Sequence, residues 1–323
     1  PQYLAEDRFD YAQALGSAWN RQVLNSIVRT RYLDVVSFLG VDQIITAYTR
    51  EHRTSGKLEF ALNADEDLLE LGYTYRFSER PTILYRPMSG AEFVRNMRTP
   101  PRPAVVFSLL EAGFPADQLL GTVVRSTQQA SNLVIDYPGI IPPDPLFRQL
   151  IRVLRRIQRQ NAMSLLLHND HVSEPGVTRV ENSLTEPGSS EQNRVRVRFH
   201  RDEMDSDTRA EFDAVCKKLG LDVNRNTYDL EWGQRTGNGD TLHVKTRSIR
   251  QIISVLSINV MVPDSHLALG LAPVVELPGE DHAIAAIPPL KVMSGANPPD
   301  NAYTSVRYQD YWFWIDDNDV RSK

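Results

Sequence analysis

Residues 303–317, YTSVRYQDYWFWIDD, are the stretch on which the reading of the fold turns. Two of the four tryptophans and three of the twelve tyrosines fall inside it. Val306 and Tyr308 alternate with polar neighbours, the pattern of a strand with one buried face. Gln309-Asp310 reads as a two-residue turn, although Asn-Gly is the preferred type. From Tyr311 to Ile315 no polar residue interrupts the run. Alternation puts Tyr311, Phe313 and Ile315 on one face and Trp312 and Trp314 on the other. Both faces are apolar, so an interior strand covered on both sides is expected.

The rest of the chain has to supply those covers. Its 323 residues suffice for two domains or one large one. The hydrophobic fraction of 41% and charged fraction of 24% match a globular chain. No apolar run approaches the ~20 residues that span a bilayer. The opening Pro1-Gln2-Tyr3 leads into a polar helix start and not into a signal peptide. Cys216 is the single cysteine, which excludes an intrachain disulfide and a cysteine-rich metal site. A net charge of −5 argues against a chain dedicated to nucleic acid.

Residues 6–32 carry Phe9, Ala12, Leu15, Trp19, Val23, Leu24 and Ile27 at helical spacing, which predicts one buried face. Residues 35–50 and 57–62 read as a hairpin around Ser55-Gly56. Residues 68–77 and 82–85 read as a second, bending at Glu79-Arg80-Pro81. Helices are predicted over 91–98, 104–112 and 115–131, separated by prolines and Gly113. The proline-rich stretch 137–145 is the expected linker, dividing the chain into 1–140 and 141–323. Beyond it come a helix over 146–160, a strand over 163–167 and a long loop over 171–193. A strand alternating Val195, Val197 and Phe199 with arginines follows. A helix capped by Ser206 or Asp207 is expected to end at Gly220. Residues 227–232 and 241–245 read as a hairpin around Gly237-Asn238-Gly239. The last predicted helix, 248–260, turns Ile249, Ile252, Ile253, Leu256 and Val260 inward and stops before Pro263. Residues 264–289 read as irregular and 290–293 as a short strand. This order of elements predicts an α+β fold of mainly antiparallel sheets with packed helices, in two subdomains.

Arg148, Arg152, Arg155 and Arg159 recur along one helix face, and Arg194, Arg196 and Arg198 along one strand face. Both are candidate polyanion-binding stripes, weighed against solvated faces neutralised by the 41 acidic residues. Asp316, Asp317 and Asp319 could offer oxygen ligands, but the glycine and glutamate of a calcium loop are missing. His168 and His171 are too few for zinc. Gly237-x-Gly239 lacks the strand-to-helix setting of a phosphate loop, and no G-x-S-x-G elbow occurs. Cys216 beside Lys217 and Lys218 reads as a buried structural thiol. No catalytic residue, metal or cofactor is expected from these patterns.

Four stretches together carry a resemblance: FDYAQALGSAWNRQVLNSIVRTRYLD (9–34), YTYRFSERPTILYRPMSGAEF (73–93), LLEAGFPADQLL (109–120) and RYQDYWFWIDDNDVRSK (307–323). They resemble a family of uncharacterised Gram-negative bacterial exported proteins and lipoproteins, whose members typically continue past the equivalent of Lys323 into a short apolar segment. The resemblance implies a cell-envelope location, periplasmic or outer-membrane associated, and a non-enzymatic role. The expectation is a structural or scaffold component whose partners are other envelope proteins or copies of itself, with nucleic acid the less expected partner. The alternatives are a binding module for an acidic polymer, polysaccharide or nucleic acid, through the arginine stripes, and a hydrolase using carboxylates such as Asp316 and Asp317.

Overall fold

The computed structural model describes residues 2–36, 38–56, 71–88, 90–136, 139–168, 194–233, 239–275 and 290–323. The expected return strand 57–62, the expected loop 171–193, Gly237-Asn238 and residues 276–289 lie outside them. Helices and mixed, mainly antiparallel sheets make the chain α+β. No helix among the described residues is long and apolar enough to cross a membrane.

The chain divides into two units, Ser37–Phe93 and the remainder. The smaller unit is a ribbon of β1 (Phe38–Gly56) and β2 (Leu71–Met88), antiparallel from Phe38↔Met88 to Gly56↔Leu71. Two hairpins were expected from this sequence, and one long one forms. Glu79, Arg80 and Pro81 do not bend the chain but pair with Tyr48, Ala47 and Thr46. Proline survives there because a strand at a sheet edge has N–H groups that owe nothing to a neighbour.

The larger unit opens with α1 (Gln2–Arg31). Among its described side chains, which begin at residue 12, the apolar stripe is buried toward the end, at Leu24, Ile27 and Val28. Residues 12–19 are exposed, with Leu15 at 36% and Trp19 at 49%, against the expectation of a continuous buried face. Then follow α2 (Gly90–Arg98), α3 (Pro103–Glu111) and α4 (Ala116–Val123). The helix predicted to run to Ser131 stops at Val123, and β3 (Val124–Thr127) and β4 (Ala130–Ser131) take its second half. The hairpin β5 (Val134–Asp136) and β6 (Gly139–Ile141) leads into α5 (Pro145–Arg159). After β7 (Met163–His168) and β8 (Arg194–Phe199) comes α6 (Ser206–Leu219). Its cap is Asp205, one residue before the two expected, with Oδ1 accepting from Thr208 N–H at 2.7 Å. Gly220 ends it in the left-handed region at φ 74°.

Strands β9 (Thr227–Trp232) and β10 (Thr241–Thr246) correct a prediction: they pair in parallel, Thr241↔Asp229 through Val244↔Trp232. Between them the chain comes back to the starting end of β9. There Gly239 O accepts from Asp222 N–H at 2.8 Å. A Cβ on Gly239 would meet Asp222 N at 3.1 Å, and its φ is 83°, so glycine suits this close passage. The six strands lie in the order β4-β3-β10-β9-β8-β7. That order also overrules the expected division near residue 140, because β3 and β4 before it share a sheet with β7–β10 after it.

One face of this sheet carries the main core. Met163, Val197, Phe199, Tyr228, Leu242 and Val244 meet Phe107 and Leu110 of α3, Leu120 of α4, Phe147, Leu154 and Ile157 of α5, and Phe212 and Val215 of α6. This core encloses an apolar void of about 30 Å³.

Helix α7 (Ile249–Ser257) begins at a capping box of Ser248 and Gln251. It ends earlier than predicted, Ile249 is exposed, and Val260 bridges Val292 instead of continuing the helix. Pro263 precedes α8 (Asp264–Ala268) within the stretch expected to be irregular. Strands β11 (Met293–Gly295), β12 (Ala302–Tyr308) and β13 (Tyr311–Asp316) form the last sheet, with β13 central. Gln309 and Asp310 make the predicted turn, both at positive φ, 48° and 64°. Phe313 is 0% exposed and Ile315 is buried, whereas Trp312 and Trp314 are half-buried. So one face of the strand is sealed and the other is only partly covered.

Candidate functional site

The arginines on the sheet and those on α5 do not share a surface. Val197 and Phe199 of β8 and Phe147, Val153, Leu154 and Ile157 of α5 belong to one core. Alternation along β8 therefore turns Arg196 and Arg198 to the sheet face away from the helices, and Arg194 holds a strand position of the same parity. Arg148, Arg152, Arg155 and Arg159 lie on the outside of α5, with the core between the two sets.

Their surroundings also differ within each set. On α5, Arg152 and Arg159 are exposed and Arg148 is half-buried. Arg155 is engaged, with Nη1 donating to Gln158 Oε1 at 2.6 Å and Nε 3.4 Å from Asp117 Oδ1. Arg156, outside the predicted stripe, pairs with Glu211. On β8, Arg196 donates from Nε to Asp229 Oδ1 at 2.5 Å, its register partner. Arg198 is exposed, and its Nε is 3.5 Å from Thr227 Oγ1. Arg194 pairs in register with His168. What the sequence offered as a stripe of equals thus contains an arginine already neutralised and an arginine that is not.

Beside Arg198 is a pair that spacing could not reveal. Ser164 of β7 lies opposite Arg198 in the ladder, and its Oγ is 3.0 Å from His200 Nε2. The alternation of β8 continued by two residues would have put His200 on the face of Arg198, but Ser164 comes from another strand.

Arg247, just past β10, was not singled out from the sequence. It is 2% exposed. Its Nη1 donates to Gly121 O at 3.0 Å and Thr122 O at 2.8 Å, and its Nη2 to Leu133 O at 2.5 Å. The first two carbonyls belong to the last turn of α4, where a helix leaves acceptors unpaired and favours positive charge. Burial, with Arg125 nearby, pulls the guanidinium pKa down to about 10, still well above neutrality, so it stays charged.

A second buried polar cluster joins α1 to the last sheet. Tyr32 Oη and His266 Nδ1 are 2.6 Å apart. The Tyr32 ring meets Phe313 edge-on at 6.0 Å and Tyr308 at 5.1 Å, and the His266 ring meets Tyr311 at 4.7 Å. Burial, then Tyr308, pushes the Tyr32 phenol up to about 12. Asp34 accepts from Tyr308 Oη at 3.1 Å and from Arg29 Nη1 at 2.8 Å. Its carboxyl is held below the usual range, first by the Val35 backbone N–H.

The remaining candidates serve the chain's own turns. Asp316 Oδ1 accepts from Asn318 N–H at 2.7 Å, and Asp317 pairs with Lys323 at 2.7 Å. Asp319 accepts from the Ser322 hydroxyl at 2.6 Å, the main cause of its lowered pKa. Among the described residues no three or more His, Cys, Asp or Glu side chains could hold a metal ion. His171 lies outside the described residues. Cys216 is buried, and burial pushes its thiol up to about 11, which keeps it from acting as a thiolate near neutrality. No family model, curated protein or solved structure matches the chain.

Proposed function

We propose that the chain is a structural or scaffold component of a bacterial cell-envelope assembly, acting through protein–protein contacts with other envelope proteins or with copies of itself. The observation that supports this reading is the β1–β2 ribbon. Among the described residues its strands pair only with each other, over 19 and 18 residues. A ribbon of two strands is marginal in water by itself. Its outer edges offer backbone donors and acceptors that a partner strand can pair with. The edge of β1 is the fuller one, since β2 contains Pro81 and Pro87 and β1 contains no proline. Register puts Ile44, Tyr48, Tyr73, Tyr75 and Phe77 at positions of one face together with Arg50, His52 and Glu79, and Ile45 and Leu84 at positions of the other together with Gln43, Thr49, Glu51, Arg53, Arg76 and Arg80.

Size measurement of the purified chain in mild detergent, with identification of what co-purifies, tests the reading. An oligomer or a stable complex is the expected result. A strictly monomeric particle that retains no partner overturns it.

A further inference from the structure

We propose that Arg198, Ser164, Thr227 and His200 form a subsite for one phosphate-type oxyanion on the face of the six-stranded sheet turned away from the helices. Register sets Ser164, Arg198 and Thr227 in one row across β7, β8 and β9. Residues opposite each other in an antiparallel ladder have Cβ atoms about 5 Å apart. His200 stands two positions on from Arg198, and its 3.0 Å approach to Ser164 Oγ fixes it on the same face.

The row is a set of donors. Arg198 brings a guanidinium fork and Thr227 a rotatable hydroxyl, and the bonded Ser164–His200 pair keeps one further donor, the serine O–H or the other ring N–H according to which way their bond runs. Thr227 Oγ1 is 3.5 Å from Arg198 Nε, a weak contact that leaves the outward Nη groups to a ligand. Among the described residues no carboxylate pairs with Arg198. Asp229, one row along, is engaged by Arg196, and Glu111 at the sheet edge accepts from Leu165 N–H at 3.3 Å. A cation finds no free carboxylate in this row. A tetrahedral oxyanion, which only accepts, matches a planar fork flanked by hydroxyls.

The ligand is a phosphate group, and its source is either a soluble phosphomonoester or a lipid headgroup. This subsite does not depend on the scaffold reading, which stands or falls on assembly size. The test uses the full chain and two probes: inorganic phosphate followed by calorimetry, and phosphatidylcholine vesicles with or without phosphatidic acid followed by co-sedimentation. Wild type should bind at least one probe, more weakly as salt rises. Arg198→Gln should weaken that binding by about tenfold or more, the usual scale for a charged hydrogen bond. Ser164→Ala should weaken it by a smaller factor, and Lys217→Gln on the exposed side of α6 should leave it unchanged. Binding to phosphate in solution identifies a soluble ligand, and binding only to phosphatidic acid vesicles identifies a headgroup. Failure of wild type to bind either probe overturns the proposal. So does undiminished binding by Arg198→Gln that retains the wild-type Tm.

Discussion

Arg247 and Arg198 stand at the same sheet, two strands apart, and their guanidinium groups have opposite surroundings. Arg247 is enclosed and spends its donors on Gly121, Thr122 and Leu133 carbonyls. In doing so it ties the end of α4 and the approach to β5 to the end of β10. Arg198 is exposed, with one long contact to Thr227. An arginine's role thus lies in its acceptors and not in its neighbours along the chain. A buried guanidinium with satisfied donors is a structural strut, and an exposed one among spare hydroxyls can take a ligand.

That contrast can be broken most easily at Arg247. Arg247→Leu takes a donor from three carbonyls: Gly121 O keeps its bond from Asn132 Nδ2 at 2.8 Å, while Thr122 O and Leu133 O lose the guanidinium, and each unsatisfied buried group costs about 1–3 kcal/mol. A loss of about 2 kcal/mol or more is expected in urea unfolding of the full chain. A midpoint equal to wild type would show that the carbonyls find other partners and that the strut is dispensable.

The Tyr32–His266 bond is the next test, because it is enclosed like Arg247 but involves no guanidinium. Tyr32→Phe should cost about 1 kcal/mol, the net worth of an ordinary hydrogen bond. It also changes the response to alkali. The folded pKa of Tyr32 is raised to about 12 from an ordinary 10, so the folded state binds more protons than the unfolded one between these values. Its contribution is fully present below pH 10 and is lost as pH rises through about 12. Stability of Tyr32→Phe should therefore fall less steeply than that of wild type across this window. Equal slopes would mean that the phenol is not held in its neutral form.

Arg198→Gln should have the smallest effect on folding, within about 0.5 kcal/mol, because an exposed group with one weak contact contributes little. A large loss of stability would place Arg198 with Arg247 as a strut and remove the distinction between them.

Local order was legible in the sequence. Helical spacing marked α5 and α6 to within a residue or two, since each follows from periodicity and caps that lie within a few positions. The hairpin of β12 and β13 was legible for the same reason, even though Gln309 and Asp310 take up a geometry that favours Asn-Gly. The parallel pairing of β9 and β10 was not, because short strands separated by glycine and asparagine also describe a hairpin. Only the docking of Gly239 against Asp222 distinguishes them. The covalent order likewise suggested a boundary near residue 140, where prolines cluster, while the hydrogen bonds of one sheet cross it. Of the candidate site, the alternation of Arg194, Arg196 and Arg198 was readable. Ser164 and Thr227 were not, since register between strands is set by long-range packing.

Short-range pattern was enough for the α+β class, most helices, the aromatic hairpin and the outward turn of Arg196 and Arg198 along β8, because each depends on residues close together in the chain. Long-range contacts set the rest: Asp229 neutralises Arg196 but not Arg198, carbonyls enclose Arg247, and residues 12–19 of α1 are exposed while Leu24, Ile27 and Val28 are buried. Those outcomes depend on which distant segments meet, and periodicity gives the face of an element without naming what will lie against it.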